Sequence, residues 1–275
     1  MAGTLYVVAT PLGNLGDLSP RAADTLKRVA AVAAEDTRHS RPLLSHAGSR
    51  AELISFHAHS SERALARILR ILSEGRDVAL ITDAGTPAIS DPGVELVAAA
   101  QDRGMQVVTI PGPNAVAASL SVSGIPGDRY LFLGFLPRKG SERRRFLSTV
   151  AASEWTVVIF EAPSRVVQLL TDLAAVCGPE RQASVSRELT KVFEETRSGT
   201  LQELSDHYAT APARGEVTVV VAGTGQQRVA EPHVDPAERA KVLLAEGMSR
   251  KDVADRLAAE TGISRNTAYR LVNEL

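Results

Sequence analysis

Cysteine is almost missing from this chain. Cys177 is its single one, which excludes an intrachain disulfide and any multi-cysteine zinc site. It ends an apolar helical run, LAAVCGP, where an inert, buried thiol is expected. Long hydrophobic runs are missing too. No stretch reaches the roughly 18 uncharged apolar residues of a membrane helix, and no basic leader precedes a hydrophobic segment. A soluble, cytoplasmic protein is expected. Nor is there an excess of one charge. The 31 Lys and Arg oppose 32 Asp and Glu, for a formal net charge of -1. A whole-surface field for nucleic acid is therefore excluded, while a local basic patch stays open.

Several familiar signatures are also lacking. No G-x-G-x-x-G follows the first strand-like run, and no G-x-x-x-x-G-K-[ST] occurs, which disfavours NAD binding and ordinary ATP chemistry. Neither G-x-S-x-G nor a Cys-His pair supports a nucleophilic triad. His57 and His59, in SFHAHS, would share one face of a strand. No third ligand accompanies them, although Asp36 could join a hard-metal site. A polar loop near a cleft is the simpler reading, and no metal is expected. What remains is chemistry on a bound cofactor that depends on position more than on covalent help.

What is present suits two α/β domains in 275 residues, 44% of them apolar. Strand-like runs fall at 4–10, 31–36, 77–83 and 105–112. Amphipathic helical segments fall at 61–75, with Ser61 as a candidate cap, and at 93–104. In the first of these Leu65, Ile68, Leu69 and Leu72 recur at helical spacing. This cadence predicts a parallel sheet over 1–118. From 119 to 225, runs at 129–137, 155–162, 181–189, 191–199 and 215–223 lack a βα cadence and predict a mixed sheet. Residues 226–236, with Pro232 and Pro236, read as a linker. Residues 237–275 read as three helices, with Ser249 and Ser264 as caps and Asp252 in the first turn. That pattern suits a helix-turn-helix, or equally a helical packing domain with no nucleic-acid role.

One stretch is unusually demanding. LITDAGTPAISDPG, residues 80–93, places Asp83, Asp91, Pro87 and Pro92 in a turn where a strand ends. PGPNA, 111–115, does the same at another. Parallel sheets bind ligands beyond these carboxyl ends. The first loop, ATPLGNLGDLSPRA, has Pro11, Gly13 and Gly16 for a tight exit, and presents Asn14, Asp17 and Arg21.

Together with YVVATPLGNLGDLSPRA, EDTRHSRPLL, PGPNAVAASLSVSG and FLGFLPRKGSERR, this stretch resembles the bacterial ribosomal RNA small subunit methyltransferase I family, within the tetrapyrrole methylase fold group. The resemblance covers nearly the whole chain. It implies two α/β domains with a cofactor cleft between them and a small helical C-terminal domain. It implies S-adenosylmethionine as methyl donor and, usually, a homodimer. The implied substrate is a cytidine of 16S rRNA in the decoding region, methylated on its ribose 2′-oxygen. The alternatives are methylation of a small tetrapyrrole, or a non-catalytic RNA-binding or assembly protein.

Residue by residue, the resemblance implies cofactor contacts at Leu12, Asp83, Ala84, Gly85, Thr86, Ile89, Asn114, Ala115, Phe160 and Ala213, with Arg214 and Gly215 beside the last. Thr86 stands where porphyrin-directed relatives have an aspartate, so Asp83 is the candidate replacement. Candidate catalytic groups are Asp36, Arg38, Glu161 and Lys191, with Glu35 and Glu188 nearby. Asp36 is the first choice as general base, against the alternative of a salt bridge to Arg38 that only fixes the loop. Arg21, Arg138, Lys139, Arg143, Arg144 and Arg145 are candidate phosphate contacts.

Overall fold

The computed structural model describes residues 2–57, 62–226, 236–261 and 264–274. The chain forms two compact units, Met1–Gln226 and Gln227–Leu275.

The first unit opens with a wholly parallel sheet of β1 (Leu5–Val8), β2 (Ala31–Ala34), β3 (Glu52–Ser55), β4 (Val78–Ile81) and β5 (Val107–Ile110), in the order β3-β2-β4-β1-β5. All residues of β2 and β4 are buried, as expected where helices cover both faces. The crossover helices start where the sequence supplies caps. Ser19 accepts the Ala22 N–H at 3.1 Å before α1 (Pro20–Arg28), with Pro20 at the first helical position. Asp36 caps α2 (Thr37–His46), and Asn114 caps α5 (Ala115–Ser123). Between these lie α3 (Glu62–Ser73) and α4 (Val94–Asp102). In α3, Ile68, Leu69, Ile71 and Leu72 are buried, while Leu65 packs partly buried against the same core.

The second sheet is mixed, as its sequence predicts. β6 (Tyr130–Phe135) runs parallel to β7 (Thr156–Glu161). Beyond β7, β10 (Val217–Val221), β8 (Gln182–Arg187) and β9 (Glu195–Thr200) pair antiparallel, giving β6-β7-β10-β8-β9. Its helices α6 (Gly140–Ala152), α7 (Val166–Cys177) and α8 (Leu201–Thr210) close one core around Leu169, Leu173, Val185, Val219 and Tyr208. Cys177 is half-buried, and burial pushes its thiol above the ordinary range, in keeping with an inert role. In the second unit α9 (Pro236–Ala245), α10 (Arg250–Thr261) and α11 (Arg265–Glu274) bury Ala240, Leu243, Val253, Leu257 and Val272. Ser249 and Ser264 accept the Asp252 and Thr267 amides at 3.2 and 3.1 Å.

Three sequence expectations need correction or lie out of reach. The predicted strand at 191–199 begins only at Glu195. Glu188 and Thr190 take positive φ values of 50° and 66°, so the chain turns here instead of extending. The edge strand β3 escapes sequence reading because only Ile54 of its four residues is buried. Ser61, His59 and most of the 226–236 linker lie outside the described residues.

The expected phosphate contact Arg143 is turned inward. Its guanidinium donates to Asp172 Oδ2 at 2.9 and 2.7 Å and to the Pro137 carbonyl at 3.0 Å, with 9% of the side chain exposed. A charge so committed joins α6 to α7 and has nothing left for a phosphate. Arg143→Ala strands Asp172 and is expected to cost about 3 kcal/mol of unfolding free energy, measurable by urea denaturation. A loss below about 1 kcal/mol, the scale of surface pairs, would contradict a structural role.

Candidate functional site

The carboxyl ends of β1, β2, β4 and β5 face a cleft of about 560 Å³ whose other wall comes from the second sheet. That size suits a small-molecule site. Leu12, Glu35, Asp83, Ala84, Gly85, Thr86, Ser90, Asp91, Asn114 and Ala115 line one wall. Phe135, Phe160, Glu161, Ala162, Pro163, Lys191 and residues 215–218 line the other.

The turn after β4 is fixed by backbone and side chain alike. Thr10 and Gly85 exchange backbone hydrogen bonds of 2.8 and 3.1 Å, joining the exits of β1 and β4. Gly85 has φ 86°, and a Cβ there would lie 3.3 Å from Leu12 Cδ2. Asn114 accepts the Val116 amide at 2.9 Å and the Ala117 amide at 3.2 Å. It also donates to Thr86 Oγ1 at 3.3 Å, and that hydroxyl donates to the Pro113 carbonyl at 3.2 Å. Thr86 and Asn114 therefore hold two strand-end loops together while facing the cleft. Beyond Pro87, Ala88 and Ser90 are left-handed at φ 67° and 65°. Two such non-glycine residues in one turn store strain. They swing Asp91 back into the cleft.

Opposite, β6 carries an irregularity between Phe132 and Phe135. Gly134, at φ 61°, lies so close to Ser90 that a Cβ would meet Ser90 Oγ at 3.1 Å. Phe135 is thereby presented to the cleft, edge-on to Phe160 at 5.7 Å. Glu161 is fully buried. Its Oε1 accepts the Ala162 amide at 2.9 Å and pairs with Arg165 at 3.1 Å. Its Oε2 has no partner among the described residues. An unpaired buried carboxylate oxygen at a cleft wall is an acceptor awaiting a donor. Lys191 reaches across from the β8–β9 turn, its stem lying on Gly13 so tightly that a Cβ there would be 2.4 Å away.

These placements sort the sequence candidates. Leu12, Asp83, Ala84, Gly85, Thr86, Asn114, Ala115, Phe160, Glu161 and Lys191 share the cleft. Ile89 and Ala213 are not on its lining. Ile89 sits between the two left-handed residues and points outward, 38% exposed, while Ala213 belongs to the core under the second sheet. Gly215, Glu216, Val217 and Thr218 take the wall expected around Ala213. Gly215 takes φ 74°, and a Cβ there would displace the Glu188 side chain, whose Oε1 would lie 1.8 Å away.

Asp36 and Arg38 are also off the lining. Arg38 grips Asp36 through its side chain at 2.6 Å and its amide at 2.8 Å, and Asp36 donates its own amide to Asp83 at 3.1 Å. The Arg38 hydrogen bonds hold the Asp36 carboxyl well below the usual range. A carboxylate so stabilised is a poor proton acceptor, and Asp36 is a helix cap that orients Asp83. Lys191 does not suit the role either. Burial pulls its ammonium down, but hydrogen bonds and charge from Glu188, at 2.9 Å, and Glu216, at 3.3 Å, outweigh it and shift it upward.

The group that sequence reading passed over is Asp91. Burial is the main cause that pushes its carboxyl up from 3.8 to about 6. A hydrogen bond from Thr82 opposes this, and the charges of Glu35, Asp83 and Glu216 add to it. The Thr82 hydroxyl also donates to Glu35 Oε2 at 2.9 Å, so its hold on Asp91 is divided. The available signal was the second Asp-Pro-Gly of the 80–93 stretch. The non-glycine strain that aims it inward leaves no mark in composition. No group of three or more potential metal ligands occurs among the described residues.

Residues 4–205 match the tetrapyrrole (corrin/porphyrin) methylase family. The chain is 46% identical to a ribosomal RNA small subunit methyltransferase I of Pseudomonas aeruginosa, over 98% of this chain and 96% of that one. It is 44% identical to one of Xylella fastidiosa, over 97% and 98%. Among solved structures, a cobalt precorrin-4 methyltransferase of cobalamin biosynthesis superposes with a TM-score of 0.64 at 18% identity, over 80% of this chain and 94% of that one. A Thermus thermophilus uroporphyrin-III C-methyltransferase complexed with S-adenosyl homocysteine gives 0.58 at 19%, over 80% and 97%.

The Asp91 charge has a consequence for stability. Its folded pKa lies above its unfolded one, so the folded state holds the extra proton between about pH 4 and pH 6. Stability from this group is therefore lost as pH rises through that window and stays lost above it. Asp91→Asn removes the penalty. Discounted for a half-exposed carboxyl, the gain is about 1 kcal/mol, or about 2–4 °C in Tm at pH 8. The difference from wild type should vanish near pH 4. Equal melting temperatures at both pH values would contradict the raised pKa.

Proposed function

Because the chain belongs to the ribosomal RNA small subunit methyltransferase I family, within the tetrapyrrole methylases, we propose that it methylates the ribose 2′-oxygen of a cytidine in the decoding region of 16S rRNA. The methyl donor is S-adenosylmethionine. The observation that carries this reading is the cleft itself, in which a glycine-built backbone turn faces an aromatic wall and an unpaired buried acceptor. That set fits such a donor. Gly85 and Gly215 leave room that a Cβ would fill. Phe160, Phe135 and Val217 offer apolar surface to a flat ring, and Glu161 Oε2 can accept from an amine. When bound, the donor supplies a methyl group on a positively charged sulfur.

The remaining work falls to the chain's own residues. Leu12, Ala84, Thr86, Asn114 and Ala115 fix the donor pocket, and alignment of the two reactants contributes much of the rate. The acids in the cleft favour a ribose hydroxyl, which is neutral, over a tetrapyrrole fringed with carboxylates. RNA phosphates would instead be held outside the cleft. Arg138, Lys139, Arg144 and Arg145 are exposed around the start of α6 and have no ion-pair partner among the described residues. Arg21 is exposed on α1, in a shallow dish with Asp24, Lys27 and Arg28. A cytoplasmic homodimer acting on rRNA within the small ribosomal subunit belongs to the same reading. No helix among the described residues is long and apolar enough to cross a membrane.

The test uses small subunits from cells lacking the gene, incubated with the protein and S-adenosylmethionine. Mass mapping should find one new cytidine 2′-O-methyl group in the decoding region, and its absence would reject the reading. Gly85→Val puts a branched side chain where φ is positive. It is expected to weaken S-adenosylmethionine binding at least about tenfold by calorimetry while the protein stays folded. Unchanged affinity removes this turn from the donor pocket. Replacing both Arg144 and Arg145 by Ala should lower the slope of log affinity against log salt by about 1.4, at about 0.7 per lost contact to single-stranded phosphate. Donor affinity should not change. An unchanged slope would exclude these two arginines from the RNA surface.

A further inference from the structure

We infer that Asp91 is the proton acceptor for the 2′-hydroxyl, a role that rests on the reaction proposed above. The position carries the inference. Asp91 lines the cleft. It is delivered there by a turn with left-handed, non-glycine residues at Ala88 and Ser90 and with Gly93 at φ 137° behind it. Gly93 cannot carry a side chain, because a Cβ would meet Leu80 Cδ2 of β4 at 2.7 Å. Ser90 is seated against Gly134 of β6. The turn thus touches both sheets, Leu80 through Gly93 and Gly134 through Ser90, while Ile89 stays exposed.

Most of the other acids around the cleft are held by a cation or an amide, and Glu161 keeps only one oxygen unpartnered. Glu161 pairs with Arg165, and Glu188 and Glu216 both pair with Lys191. Asp83 accepts from the Asp36 amide and contacts the His39 ring at 3.2 Å. Glu35, at the end of β2, shares the Thr82 hydroxyl with Asp91. Asp91 has no cation partner among the described residues. The charges it faces are Glu35 and Asp83 from the parallel sheet and Glu216 from the edge of β10. Across the same cleft lie Lys191, from the β8–β9 turn, and Glu161, at the end of β7. Like charges and burial make its carboxylate readier to take a proton than an ordinary one, and its raised pKa agrees with that.

In the step assigned to it, the ribose oxygen forms the O–CH₃ bond as the C–S bond breaks. The C–S electron pair stays on sulfur, which leaves as a neutral thioether. The hydroxyl proton passes to Asp91 and from there to water, restoring the carboxylate. General-base help of this kind is worth about 10²–10⁴ in rate.

The experiment compares wild type, Asp91→Asn and Asp91→Glu in single-turnover methylation of unmethylated small subunits from pH 5 to pH 9. Binding of S-adenosylhomocysteine and of subunits is measured in parallel. Wild-type rate should rise with pH to an inflection near 6 and then level off. Asp91→Asn should lose at least about 100-fold at pH 7.5, lose the inflection, and keep both affinities within about threefold. Asp91→Glu should regain part of the rate together with an inflection, and it remains informative if Asp91→Asn does not fold. Carbon-13 titration of the S-adenosylhomocysteine-bound protein gives a readout apart from turnover. One carboxyl resonance present in wild type and absent in Asp91→Asn should titrate near pH 6. Asp91 is overturned as the acceptor by an Asp91→Asn rate within about threefold of wild type with its inflection intact. It is equally overturned by a loss of rate matched by a loss of either affinity. If wild type methylates no ribose hydroxyl, the parent reaction fails and this role fails with it. Methylation by wild type with no effect at Asp91 leaves the parent reaction standing and removes only the role.

Discussion

Two backbone hydrogen bonds, exchanged between Thr10 and Gly85, hold the cleft in being. They join the exits of β1 and β4, neighbours in the sheet, at residues that lie beyond the last residue of each strand. Both residues are buried, so without this bridge their amides would be left unsatisfied. With it, the Gly85 turn becomes an extension of the sheet. Leu12, Ala84 and Thr86 then inherit the rigidity of buried strands instead of the mobility of surface loops. Thr10 adds its hydroxyl, which donates to the Thr82 carbonyl at 3.1 Å. The left-handed Gly85 is what lets the chain take this path, so one glycine sets the shape of a wall built by several side chains.

From that anchor the second wall can be understood as a set of fitted contacts. Gly134 makes room for Ser90, Gly13 makes room for the Lys191 stem, and Gly215 makes room for Glu188. In each case a glycine lets another element's side chain approach closer than a Cβ would allow. Two of the three lie in the second sheet or its loops, while Gly13 returns the fit from the first. Gly134 and Gly13 thereby fit the two sheets of the first unit to each other, beside the apolar cluster of Val116 with Val158 and Val220.

The architecture was largely legible in the sequence. The βα cadence of the first half, the mixed sheet of the second and the three helices at the end, two of them capped, follow from period and turn chemistry and are present. Most of the cofactor-pocket candidates fall together because the motifs sit at strand ends, where the fold must bring them into one place. The misses have physical causes. Arg143 looks identical to Arg144 and Arg145 until helical phase turns it toward Asp172. For Asp36, read as general base against the alternative of a salt bridge to Arg38, the hydrogen bonds favour the alternative, which only geometry could decide. Asp91 was overlooked because Ala88 and Ser90 adopt a backbone that their side chains do not advertise.

The arrangement of charge explains why a protein with almost no net charge can suit a polyanion. Glu35, Asp83, Asp91, Glu161 and Glu216 gather at the cleft, while Arg138, Lys139, Arg144 and Arg145 stand exposed at α6. Averaged over the chain the two sets cancel. Locally they do opposite things. At a Debye length of about 8 Å in physiological salt, an incoming phosphate responds to the nearest arginines and little to a partly enclosed acid. Inside the cleft, screening is weaker and the acids dominate. They draw a cation such as a sulfonium inward and repel any phosphate that strays from the rim. On the proposed reading, an RNA strand meeting both fields would be held by its backbone outside and would lower its energy by offering an uncharged group to the interior. A ribose hydroxyl is such a group. On that reading, segregation of charge would select the part of the nucleotide that enters, before any base is read.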